Sequence, residues 1–355
     1  MGPFFSDLNN RRTFIVPFAL GSSLALNPDF LALAGFIWGT TGLAGGLAFV
    51  LAACFYLLLG ARLKKTAFFR GPKKRGGIRL AGTGARILAL VFLTTGVLVS
   101  SGFAFNEIFV YWFPNFGFAF LLLGILCTLQ FLNSKTVYWI QVVFFSIAAA
   151  GLLVLTVAGL IRPNTVEVSL FQAVPLGDAV SRPGVLFLTF LLFVGFDLGY
   201  GAEEKAVPEP VGSTGSAVIF TTLVFILWGL VMLSHVPAQK LSETAIPHLI
   251  AARKIWGDTG RIIMGLTIIF GSLAGIHALF TDIVHRVKDL AQRKIIPEKL
   301  NRPKTVIILL TLTTGLMMGL GLAGNEVLET LIRFSLILWF LSHVAVWLYI
   351  KPDRS

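Results

Sequence analysis

A chain of 355 residues with 56% hydrophobic and 13% charged residues, and a mean hydropathy of +0.84, excludes a soluble globular domain and points to the bilayer. Its net charge of +12 comes from basic residues lying between apolar runs. They form no aromatic-interleaved patch, which excludes a nucleic-acid surface and makes the charge a marker of topology.

Apolar runs of about 20 residues recur along the whole length, so 1–355 reads as a single membrane domain without a separate soluble unit. In chain order ten spans are predicted, near 13–33, 36–61, 85–112, 116–133, 137–161, 184–203, 214–236, 260–285, 304–323 and 327–350. Long unbroken runs of this kind are helices, because a membrane barrel needs shorter strands of alternating polarity.

The first span carries Pro17, Gly21, Ser22, Ser23, Asn27 and Pro28, residues that interrupt a helix. A basic stretch from Lys64 to Arg79 follows the second span and is expected to rest on anionic head groups, at about 1 kcal/mol per side chain. Nine basic residues fall between Arg62 and Arg86 and seven between Arg286 and Lys304. The positive-inside rule therefore puts the loops after even-numbered spans, and both termini, in the cytoplasm of a cell (inner or plasma) membrane. Asn106 and Glu107 near the outer end of span three read either as vestibule groups or as interfacially solvated ones. Of the outer connections 162–183 and 237–259, the second has the pattern of a short helical cap. Cys54 and Cys127 lie inside apolar spans with no CxxC and no histidine nearby, so they read as packing residues rather than a disulfide or metal site. A cleavable signal peptide and lipidation are not expected.

Span six is the most informative. From Phe187 to Pro210 it reads FLTFLLFVGFDLGYGAEEKAVPEP, with glycines at 195, 199 and 201, Asp197, and the Glu203-Glu204 pair. Glycine weakens a helix, and a carboxylate at membrane depth is costly unless it faces protein or water. A helix broken at mid-membrane bares backbone groups to a buried ligand, and interruptions in spans one and six occupy corresponding places in the two halves.

This run resembles the sixth helix of the amino acid, polyamine and organocation transporter superfamily. Asn133-Ser134-Lys135 followed by Ile140-Gln141 is similar to the opening of that family's fifth helix, and Gly271 to Val306 resembles its long eighth helix and the basic segment after it. The likeness covers roughly residues 116–350. In place of the family's Gly-x-Gly-Ile-aromatic stretch in helix one, the chain has Gly21-Ser22-Ser23, and the turn bearing a lysine in proton-coupled relatives reads Ser146-Ile147-Ala148-Ala149.

The resemblance implies an all-α integral membrane fold of about ten transmembrane helices, a LeuT-like five-plus-five inverted repeat. Its repeats would span about 13–161 and 184–350, with helices 1 and 6 broken. It also implies a secondary active permease of amino acids or related amines working by alternating access. The substrate would lie among Gly21, Ser22, Ser23, Phe193, Gly195, Phe196, Asp197 and Tyr200, where helix ends suit a zwitterion and the aromatics suit an apolar wall or an organic cation. His277, Thr281 and His285 share one face of span eight. The family's sodium-coordinating hydroxyl in this helix makes Thr281 a coupling-ion candidate and His277 a proton carrier. A packing role through Gly271-xxx-Gly275 is the competing reading.

No cofactor is expected beyond a coupling ion, H+ or Na+. Glu329 and Arg333 are spaced for an intrahelical ion pair. Gly42-xxx-Gly46 and Gly315-xxx-Gly319 permit close contacts, either internal or with a membrane-protein partner or second copy. The chain lacks HExxH, GxSxG and any cysteine cluster, so an enzyme is not expected. The alternative to a permease is a non-transporting membrane subunit or scaffold that keeps the permease fold.

Overall fold

The computed structural model describes residues 14–65, 76–109, 112–162, 183–198, 212–322 and 326–349. Among them every regular element is a helix. In chain order these are α1 (Phe14–Leu26), α2 (Pro28–Thr41), α3 (Leu43–Lys65), α4 (Gly76–Ile108), α5 (Asn115–Gln130), α6 (Ser134–Ile161), α7 (Pro183–Leu191), α8 (Ser213–His235), α9 (Ala238–Glu243), α10 (Pro247–Gln292), α11 (Pro303–Gly319) and α12 (Glu326–Tyr349). Five helices are long and apolar enough to cross a membrane, and α1 with α2, bent by 58° at their junction, makes a sixth. Three shorter apolar helices at 115–130, 303–319 and 330–341 fall below that length, so the described residues carry five or six spans by this measure where ten are predicted.

The first boundary differs from expectation. The predicted loop at 34–35 is helix, and the chain turns at Gly42, with φ 56°, a conformation that glycine adopts without a Cβ penalty. Leu31, Ala34, Ile37 and Trp38 continue the buried stripe through the expected gap. Gly35 and Gly39 stay helical inside it because other chain segments press on them: a Cβ at Gly35 would lie 2.6 Å from Pro247, and one at Gly39 2.6 Å from the Ala238 carbonyl. The long α10 holds a second departure. Trp256 and Gly257 (φ 59°) leave helical geometry and separate an outer arm beginning at Pro247 from the predicted span eight. With α9 this arm supplies the helical segments expected in 237–259.

Helix α10 is the centre of the fold. Of its most apolar window 72% is buried, against 33% for α6, and it packs most extensively on α6, α4 and the end of α1. Glycines set these distances. A Cβ at Gly271 would come within 2.1 Å of the Leu26 carbonyl, and one at Gly151 of α6 within 2.2 Å of the Thr267 hydroxyl, so backbones meet where larger residues would hold them apart. Of the other small-residue pairs, Gly46 faces Trp38, Gly315 lies against Leu123 and Phe120, and Gly319 meets nothing within 4 Å.

Candidate functional site

Helix α1 tightens into a 3-10 turn at Ser23–Leu26 and ends at Asn27, whose backbone is extended (φ −80°, ψ 158°). The Asn27 side chain accepts from Phe30 N at 2.9 Å, and Pro28 starts α2 where its missing N–H costs nothing. The break is thus built into the local sequence. Deep burial then fixes its side chains: Ser23 donates to the Ala19 carbonyl, while the Gln141 amide of α6 donates to Ser23 Oγ at 2.6 Å. The single Ser23 proton is already used on Ala19, so Gln141 presents its NH2 to Ser23 and its carbonyl to His277 Nδ1, 2.7 Å away. His277 on α10 therefore donates from Nδ1 to the Gln141 carbonyl. Three buried polar atoms here have no hydrogen-bond partner: Ser22 Oγ, Asn27 Nδ2 and His277 Nε2.

Opposite the break runs the segment that follows α7. From Leu192 to Leu198 the chain makes turns closed by bonds three residues apart, as in Phe196 N to Phe193 O (3.0 Å) and Leu198 N to Gly195 O (3.1 Å). It lies directly on α1: a Cβ at Gly21 would sit 3.2 Å from the Phe196 carbonyl, and one at Gly195 3.0 Å from Leu24 Cδ1. Between them is a cavity of about 10 Å³ lined by Gly21, Leu24 and Ala25 on one side, Leu192, Phe193, Gly195 and Phe196 on the other, and Thr221 of α8. That is room for about one water molecule, not an amino acid.

The next residue, Asp197, belongs to a different environment. Its Oδ1 accepts from Arg86 Nη2 of α4 at 2.5 Å and its Oδ2 from Arg286 Nη2 of α10 at 3.2 Å. Arg286 Nε also donates to Asp282 Oδ2 at 2.6 Å, which lies 3.9 Å from Arg86 Nε. Among the described residues two arginines and two aspartates thus form one ionic cluster, with the Arg86 and both Asp side chains at most 2% exposed. The Arg86 guanidinium stacks 4.5 Å from the Trp339 ring of α12, while its Nε and Nη1 lack a hydrogen-bond partner. Tyr56 of α3 packs its ring on Phe193 and Phe196 and donates to the Phe190 carbonyl at 2.8 Å, fixing the turn segment from its other side.

The structure therefore brings Gly21, Ser22, Ser23, Phe193, Gly195 and Phe196 into one buried region, but Asp197 does not line the cavity and spends both oxygens on arginines. Tyr200 lies outside the described residues. Thr281 donates to the His277 carbonyl at 2.8 Å and is 3.3 Å from the Gln130 amide of α5. His285 Nδ1 lies 2.6 Å from the Thr281 carbonyl. Gly271 and Gly275 pack on Leu26 and Leu24 of the break, so the small-residue face of α10 seats α1.

The sequence reading missed the charged cluster. It counted Arg86 and Arg286 as cytoplasmic charges and took Ile140-Gln141 as a motif without a role. One signal was present: Asp282 and Arg286 are spaced i, i+4 inside an apolar run, the pattern noted for Glu329 and Arg333. Arg86 stands at the edge of the predicted span 85–112, and α4, which starts at Gly76, draws it further inside. No protein-family model and no curated protein matches the chain.

Proposed function

We propose that the protein is a secondary transporter of amino acids or related amines, working by alternating access around two interrupted helices. The observation that carries this reading is the buried contact between the end of α1, just before its break at Asn27, and the 192–198 turns, where the lack of a side chain at Gly21 and Gly195 lets the two segments lie directly on each other. In a LeuT-like five-plus-five repeat, the bent α1–α2 pair is span one and α7 with its continuation is span six. Spans two to five are α3, α4, α5 and α6, and spans seven to ten are α8, α10, α11 and α12. On this reading both termini face the cytoplasm, and the small cavity belongs to a closed state that enlarges when Leu24, Phe193 and Phe196 part. H+ through His277 or Na+ through the Thr281 hydroxyl is the coupling ion, since both groups sit on the α10 face that carries the break.

A second reading, a non-transporting subunit that keeps the fold, draws on the cavity's size and on the ionic cross-links that hold the turn segment. Proteoliposome counterflow with labelled amino acids and amines separates the two. Transport by wild type, lost in Gly195→Leu while the variant still elutes as a folded monodisperse peak, supports the permease. Absence of transport together with a membrane protein that copurifies at fixed stoichiometry supports the subunit.

A further inference from the structure

Helices α10 and α11 end in the same cap, built from different residues. At the end of α11, Gly321 takes φ 69°, its N–H bonds to the Met318 carbonyl at 3.0 Å, and Leu322 N bonds to Met317 O at 3.1 Å. This pair of bonds is the Schellman motif, whose left-handed residue is usually glycine because a Cβ is penalised there. At the end of α10 the pair is Lys294 N to Ala291 O and Ile295 N to Leu290 O, both at 3.0 Å, and the left-handed residue, at φ 58°, is Lys294. Among the described residues no other residue besides glycine has a positive φ. A lysine held where glycine fits without strain points to a use for the side chain.

The surroundings indicate that use. Ile295, which in such a cap commonly packs back on its helix, is 47% exposed. From Arg293 to Lys304 the connection to α11 carries five basic residues, every one exposed, and a single acid, Glu298. Helix α11 then presents an exposed apolar stripe through Ile308, Leu312 and Leu316, the face such a helix turns to acyl chains. Lys304 stands on that stripe one turn before Ile308, about 6 Å along the axis, where a lysine stem lies along lipid and its ammonium reaches the head groups. We propose that the connection 293–304 is a docking surface for anionic phospholipid, with Ile295 in the acyl boundary and the Lys294 and Lys304 ammonium groups on head-group phosphates. This segment is distinct from the basic stretch Lys64–Arg79, and the proposal stands whether or not the protein transports.

The test compares thermal unfolding of the purified full chain in nanodiscs of phosphatidylcholine alone and of phosphatidylcholine with about one quarter phosphatidylglycerol, the fraction that gives the head groups a net negative charge. Wild type is expected to unfold about 2 °C or more higher in the anionic discs, a gain that shrinks as salt is raised. Lys294→Gly relieves the cap, so in phosphatidylcholine its Tm is expected to equal or exceed that of wild type, while its gain from phosphatidylglycerol falls. Lys304→Gln, which leaves the cap untouched, is expected to lose part of the gain as well, and the double variant at least half of it. Lys240→Gln, an exposed lysine on α9 at the opposite end of α10, is expected to keep it. No gain in wild type, a full gain in the double variant, or an equal loss in Lys240→Gln overturns the proposal. So does a Lys294→Gly variant that is destabilised equally in both discs, since the lysine would then serve the negative end of the α10 dipole rather than lipid.

Discussion

The turn segment 192–198 is held differently on its two sides. Toward α1 it meets Leu24 and Gly21 through apolar contacts and close backbone approach, next to the Ser23–Gln141–His277 hydrogen bonds. Toward α4 and α10 it is tied by Asp197 to two buried arginines. Sliding α1 off the segment exchanges dispersion contacts and strands no charge. Pulling the segment off α4 leaves guanidinium groups at low dielectric, which is far more costly. The α1 face is thus the softer joint and the Asp197 face the firmer one.

The strongest way to break this contrast is Asp197→Ala, which leaves Arg86 and Arg286 under-neutralised. A loss of about 3–5 kcal/mol is expected, read as a fall in unfolding midpoint in detergent or nanodiscs. An unchanged midpoint would mean that the firm side is not firm. Next comes Gly271→Ala, whose Cβ must push on the Leu26 carbonyl from 2.1 Å; about 1–3 kcal/mol is expected, with increased hydrogen exchange around the α1 break. Gly124→Ala in α5 has open space around it and is the matched control, neutral or stabilising by up to about 1 kcal/mol.

Gln141→Leu separates the two sides more finely. It removes the partner of both Ser23 and His277 and is expected to cost about 1–3 kcal/mol without changing the Arg86 cluster, which a double-mutant cycle with Asp197→Ala should show as simple additivity. Tyr56→Phe deletes only the bond to the Phe190 carbonyl, an expected loss of about 0.5–1.5 kcal/mol, and a larger loss would assign the hydroxyl a further role. At the small end, Asp258→Ala removes an exposed pair with Arg261 and should move stability by less than about 0.5 kcal/mol.

Much of this architecture was legible in the residues. Apolar runs located two of the long helices to within a few positions: the span expected at 214–236 is Ser213–His235, and that at 137–161 is Ser134–Ile161, where Asn133 caps by accepting from Thr136 N. The α1 break was legible because Asn27-Pro28 is a local stop and restart. The Gly42 turn was not, since Gly35, Gly39 and Gly42 look alike in a sequence and only Pro247 and Ala238 pressing on the first two distinguish them. The site was half legible: residues on the two breaks were found, but Asp197 reads as a substrate residue in the sequence because its arginine partners are 111 and 89 positions away.

Local chemistry alone settled the membrane class, the helical secondary structure and the places where helices stop, because hydropathy, proline and capping act over a few neighbouring residues. Tertiary structure decided which charges neutralise one another, which glycines carry a close approach, and that Asp197 serves two arginines. Those outcomes depend on side chains distant in sequence meeting where no water can replace the partner they find.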